Sequence, residues 1–319
     1  MRRILSGAVF LAVFAGFVSA EAAPSPKELL ASGQVDAAIR VLQKQISISP
    51  NDAEAHNLLC RAYFMIGEWD RGIPSCERAR DLDPQKSLYD MWLGRIYGEK
   101  ADHAGIFAAA GLAGKVRTSF ERAVELDPNN WEARTDLAEF YLEAPALVGG
   151  GKDKARKQAD ALMPLHPGMA HWVLGRIAEK NKDLDAAERE YRAGIAATHG
   201  GTRAWLDYAI FLRHANRLDD MVIALRELES APIDRPEALM DGASLLLRSE
   251  RDTALAIRLL RRYFSNGPVE EGPAFKAHDL LGQLLEKQGD RRAADEYRAA
   301  LALFHDDRHA QENLRRVDR

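Results

Sequence analysis

Small, apolar and aromatic positions return along this chain at a fixed interval. Gly33 is followed by Gly67, Ala38 by Gly72, Pro50 by Pro84, Leu59 by Leu93, Cys60 by Gly94 and Tyr63 by Tyr97, each pair 34 residues apart. A period of that length predicts stacked helical units, none of which buries its apolar face alone. Small residues at Gly94, Gly175, Ala209 and Gly282 let a neighbouring helix approach, and Tyr63, Tyr97 and Tyr141 fill the space beside them. Trp92, Trp131, Trp172 and Trp205 stand at helical spacing and read as packing residues.

The most complete unit is AEAHNLLCRAYFMIGEWDRGIPSCERARDLDP, residues 53–84. It resembles the tetratricopeptide repeat (TPR), two antiparallel helices closed by a short glycine turn and ended by Asp-Pro. The resemblance implies an all-α fold, a right-handed α-solenoid of about seven to eight such hairpins. The first unit runs from about Pro26 to Asp52 with a truncated opening helix containing Leu29 and Leu30, and the second spans 53–86. The third begins at Ser87, but Pro84 to Pro128 measures 44 residues, so ten are inserted between its helices near 101–114. The fourth closes at Pro167, 39 residues after Pro128, and its five extra residues fall near 144–151. The fifth and sixth return to the strict period, the seventh is degenerate and the eighth is well formed. The tail 306–319 is polar with one apolar stripe, Ala310, Leu314 and Val317, and reads as a helix capping a solenoid that spans 21–305.

Residues 1–20 read as a signal peptide. Arg2 and Arg3 precede an apolar run from Ile4 to Val18, and Ser19-Ala20 suits cleavage. Export to the periplasm or out of the cell is therefore expected, with no stable membrane insertion once the leader is gone. The formal charge of −4 becomes −6 without the two leader arginines, and no Lys/Arg run gives the basic footprint that nucleic acid needs.

Cys60 and Cys76 lie in the two helices of the second unit, symmetric about residue 68 in the turn. Helix axes 8 to 10 Å apart leave such facing Cα atoms roughly 4 to 6 Å apart, which is disulfide range. The readings are a Cys60–Cys76 bridge, favoured by an oxidising compartment, two small buried residues where the repeat wants small residues, or a redox-active pair, against which the lack of a Cys-x-x-Cys turn counts.

Candidate chemistry is sparse. Gly149-Gly150-Gly151-Lys152 lacks the spacing and the hydroxyl of a phosphate-binding loop. His305 and His309 stand four apart beside Asp306 and Asp307, a spacing that holds a metal on a helix, although a solvated polar cap explains them equally well. No nucleophile-base arrangement can be assembled from local motifs, so a non-enzymatic protein is expected, with neither cofactor nor metal.

In the TPR family the first helices of successive units line the concave face. The resemblance therefore places Arg61, Arg95 and Arg176 at equivalent groove positions with Glu139 between them, and Asn57, Phe64, Trp92 and Arg213 nearby. Three guanidinium groups along a groove suit the carboxylates of an extended acidic segment. The competing reading pairs them with the groove acids Glu99, Glu139, Glu143 and Glu179. The inserted edge, with Ile106, Phe107 and Leu112, reads either as packing or as a second lip for a partner. The expected function is a protein-binding scaffold of the cell envelope. The alternatives are a groove for glycan or small ligand, signalled by an exposed Trp92 or Trp172, and an enzyme with its site on the inserted edge.

Overall fold

Each helix of the chain begins and ends where its local chemistry requires. The structure is a computed structural model and describes residues 23–318, so the leader expected at 1–20 lies outside the described residues. Eight hairpins follow in order: α1 (Pro26–Ala31) with α2 (Val35–Ile48), α3 (Ala53–Met65) with α4 (Trp69–Leu82), α5 (Ser87–Asp102) with α6 (Ile106–Leu126), and α7 (Trp131–Glu143) with α8 (Lys152–Leu162). They continue as α9 (Pro167–Lys180) with α10 (Leu184–Ala197), α11 (Thr202–His214) with α12 (Leu218–Ser230), α13 (Glu237–Arg248) with α14 (Thr253–Asn266), and α15 (Ala274–Lys287) with α16 (Ala293–Leu303). A final helix, α17 (Arg308–Val317), packs on α15 and α16.

Short polar residues start many of these helices. Asp52, Asn130, Asp183 and Asp252 each accept from the backbone N–H three residues on, at 2.9 to 3.1 Å, satisfying donors the helix leaves open. Six hairpins turn through one left-handed residue after the first helix. Glycine fills that position at Gly33, Gly67 and Gly289, but Lys182, Asn216 and Glu250 adopt the same conformation with φ near +61°, +58° and +51°. The third and fourth hairpins lack this cap because their extra residues replace it. The ten-residue insert lengthens both helices, so α6 reaches 21 residues. The fourth unit's extra residues make a short 3₁₀ turn (Ala146–Val148) that packs against α6, with Gly149 lying against Arg117.

Packing within a hairpin explains the periodic small residues. A Cβ added at Gly94 would lie 2.5 Å from the Phe120 ring, at Gly175 2.9 Å from Tyr191, and at Gly282 2.5 Å from Tyr297. Packing between hairpins explains the tyrosines. The Tyr97 hydroxyl donates to Glu77 at 2.5 Å, Tyr141 to Glu121 at 2.9 Å and Tyr208 to Glu188 at 2.6 Å, and Gln43 donates to Tyr63 at 3.1 Å. Each partner lies 20 residues earlier, in the second helix of the preceding unit, so one residue type ties unit to unit. Cys60 and Cys76 are joined across the α3–α4 hairpin with Cα atoms 5.2 Å apart. In the chain-entropy account, closing a loop of this size stabilises by about 3 kcal/mol.

The two ends of the solenoid touch. Leu29, Leu30, Val35 and Leu42 share one apolar cluster with Phe275, Ala300 and Ala310 of the last hairpin and its cap. Gly33 sits flat against Ala274, where a Cβ would come within 2.7 Å of the Ala274 nitrogen. The Asp36 carboxylate accepts from the His305 backbone N–H at 2.9 Å. The concave faces of the hairpins consequently enclose a lumen.

Candidate functional site

The lumen is lined by the first helices of the hairpins, and its floor is charged. Arg61 on α3 donates from Nε and Nη2 to the two carboxylate oxygens of Glu270 at 2.7 and 2.5 Å. Arg95 on α5 donates to Asp136 at 2.6 Å and to Glu132 at 3.2 Å. Arg176 on α9 donates to Glu143 at 2.6 Å, and Lys180 shares that carboxylate at 2.7 Å. Arg203 and Arg235 extend the lattice, to Asp207 at 2.9 Å and to Glu237 at 2.5 Å. The three arginines expected to grip an acidic partner are therefore already engaged, because the superhelix brings acids of other units opposite them. Of the acids named for that pairing, Glu143 and Glu179 lie beside Arg176, whereas Arg61 and Arg95 take Glu270, Asp136 and Glu132 instead.

Three lumen carboxylates, Glu99, Glu139 and Asp241, make neither a side-chain hydrogen bond nor an ion pair among the described residues. Desolvation by the surrounding walls pushes Glu139 upward from its ordinary pKa, with the Asp136 charge adding to it, and carries Asp241 to about 6. Lys276, facing Glu99, Asp307 and Asp241 without bonding them, is lowered by the same desolvation. A cavity of about 370 Å³ lies along this floor between Trp131, Trp172, Glu139, His166, Arg203 and Asp234. A second, of about 580 Å³, opens between the second and third hairpins and the seventh and eighth, lined by Phe64, Glu99, Asp241 and Lys276.

The remaining expected residues divide. Phe64 lines the second cavity and meets Trp92 edge to face at 5.4 Å. Trp92 itself is buried, clamped between the guanidinium groups of Arg61 and Arg95 at 4.9 Å each, so it supports the arginines and offers no surface to a ligand. Asn57 is also buried, and its side-chain nitrogen has no hydrogen-bond partner. Arg213 is exposed at the end of α11 and lines neither cavity. On the inserted edge Ile106 and Phe107 are almost fully exposed, while Leu112 packs against the core. His305 and His309 do not converge, since His305 turns to Asp36 and His309 to Asp279. Sequence reasoning missed Asp136, Arg203, Asp241 and Glu270. The first three share the inward face of first helices and were findable by aligning every unit. Glu270 sits in a loop outside the period.

Three segments of the chain, 29–96, 119–162 and 146–202, match family models described as tetratricopeptide repeat. Superkiller complex protein 3 of Mus musculus is 26% identical over 196 residues, a match covering 50% of this chain and 12% of that protein's length. Among solved structures, yeast Tom70 aligns with a TM-score of 0.54 at 16% identity, covering 95% of this chain and 65% of that one. A thermophilic TPR protein of Thermus thermophilus aligns over 59% of this chain and 97% of its own at 20% identity, with a TM-score of 0.49. The three family-model matches, with the hairpin order and the signature packing described above, support placing the chain in the tetratricopeptide repeat superfamily, and the likeness to Tom70 shows the fold.

Proposed function

We propose that this chain is a non-catalytic protein-binding scaffold that holds an extended segment of a partner in its lumen, and that the segment carries basic side chains. TPR proteins are generally scaffolds for protein interaction. The observation that carries the finer reading is that Glu99, Glu139 and Asp241, among the described residues, line the lumen without a side-chain hydrogen bond or ion pair, and that a cation brought beside Glu139 and Asp241 would offset the desolvation that raises them. Lysine or arginine side chains entering there would pair Glu139, Asp241 and Glu99 at little reorganisation cost, whereas an acidic segment would first have to break the arginine pairs. The glycan or small-ligand reading called for an exposed Trp92 or Trp172, and these are 6% and 8% exposed. Export and a role in the cell envelope rest on the leader-like residues 1–20 and on the Cys60–Cys76 bridge, which suits an oxidising compartment.

A fluorescent Lys/Ala-repeat peptide and its Glu/Ala counterpart test the charge preference by anisotropy. The basic peptide should bind, and Glu139→Gln with Asp241→Asn should weaken it by about tenfold, the scale of a lost charge-assisted contact. Preference for the acidic peptide would reverse the assignment.

A further inference from the structure

We infer that the contact between the first two hairpins and the last, with the loop that leads into it, is a reversible closure, a latch through which an internal stretch of the partner passes into the lumen. The inference rests on the lumen being the binding site. Its ground is the difference between this seam and every other junction of the solenoid. Consecutive hairpins lie helix beside helix, whereas neither α1 nor α2 runs alongside α15, α16 or α17. The seam is instead held at points: the Arg61–Glu270 pair, the Asp36–His305 contact, the flat approach of Gly33 to Ala274, and a small apolar patch around Phe275 and Phe304, whose rings are 5.4 Å apart.

Glu270 is placed for this task. It stands in the loop between α14 and α15, which is tied off by the bridge between Val269 and Gly272 and by the Tyr263 hydroxyl, which donates to the Gly272 carbonyl and accepts from the Val269 N–H. The loop is thus a preformed catch, and Arg61 is the group it catches. On all other sides the wall is the folded solenoid itself. A free chain end can thread the lumen, but a segment flanked by folded domains has to pass between the ends. A basic side chain arriving at the seam competes with Arg61 for the Glu270 carboxylate, so the segment that fits the lumen also releases the latch.

Spin labels at Arg40→Cys and Ala302→Cys, both exposed and lining one cleft across the seam, read it directly. The unaltered seam should give one short distance, Glu270→Arg should add a longer population, and the swap Arg61→Glu with Glu270→Arg should restore the short one. Where Glu270→Arg loses its helical circular dichroism, Glu270→Gln takes its place. A single short distance in a helically intact Glu270 variant would overturn the latch. Locking the seam with Asp36→Cys and His305→Cys tests its role, using as probe the Lys/Ala peptide flanked on both sides by folded modules too wide for the lumen. Oxidation should slow association by at least about tenfold, because the competent open fraction is removed. Unchanged association would sink the gating role. A probe that fails to bind the unlocked protein counts against the lumen as binding site, and the label distances still decide the latch.

Discussion

At the junction of the second and third hairpins, Ile96 fills the space left by Gly72 and the Tyr97 hydroxyl reaches back to Glu77. At the seam, 209 residues separate Arg61 from the Glu270 that it grips. The first junction is apolar and interdigitated, and it repeats along the chain with small changes. The second occurs once, adds charged contacts to a small apolar cluster, and takes its Glu270 from a loop that belongs to no unit. A solenoid's stability is close to a sum of neighbour terms, so the first kind of junction sets whether the chain folds. The second sets only whether the folded chain is open or closed.

Disrupting an interior junction should have the largest effect. Gly72→Leu drives a side chain into Ile96 of the next hairpin and should cost about 3 kcal/mol, seen as a lower urea midpoint for the whole chain. Glu270→Gln should act differently. It removes a charge-assisted pair worth ~2 kcal/mol, and hydrogen exchange should show that loss in α1 to α3 while α9 to α12 keep their protection. Equal loss in both regions would erase the distinction between the junctions.

Asp90 sharpens the interior side. It is buried on α5, and desolvation pushes its carboxyl up to about 6 against the pull of Arg80 and Arg122. A folded-state value above that of the unfolded chain means that the Asp90 contribution to stability is greatest below roughly pH 4 and declines as pH rises through about 6. Asp90→Asn should therefore raise stability at neutral pH by about 1–2 kcal/mol and flatten the profile across that window in urea titrations. The smallest effect is expected at the turns. Glu250 holds φ near +51° where other hairpins use glycine, so Glu250→Gly should stabilise by ~0.5–1 kcal/mol in thermal melts.

The hairpins were legible because their cause is local and repeated. Gly94 and Gly282, Tyr97 and Tyr141, and the ten-residue excess between Pro84 and Pro128 each announce a packing need within some forty residues of chain. The arginine positions were legible for the same reason, being equivalent places on first helices. Their partners were not. Which acid faces Arg61 depends on the summed rotation of every hairpin between residues 61 and 270, and a small change in each would carry Glu270 past it. The closure of the ends was illegible on the same ground, and with it the conversion of an open groove into a lumen.

The seam also sets an order of events. Interior junctions can form as soon as two successive hairpins exist, since their loop-closure cost is small. The first hairpin has to wait: Asp36 meets His305 across 269 residues, and until the last hairpin is made Leu29, Leu30 and Val35 have no apolar partner on that side. The first hairpin, synthesised before the other seven, is thus among the last parts to be completed. During that interval its sticky face is what a chaperone would find.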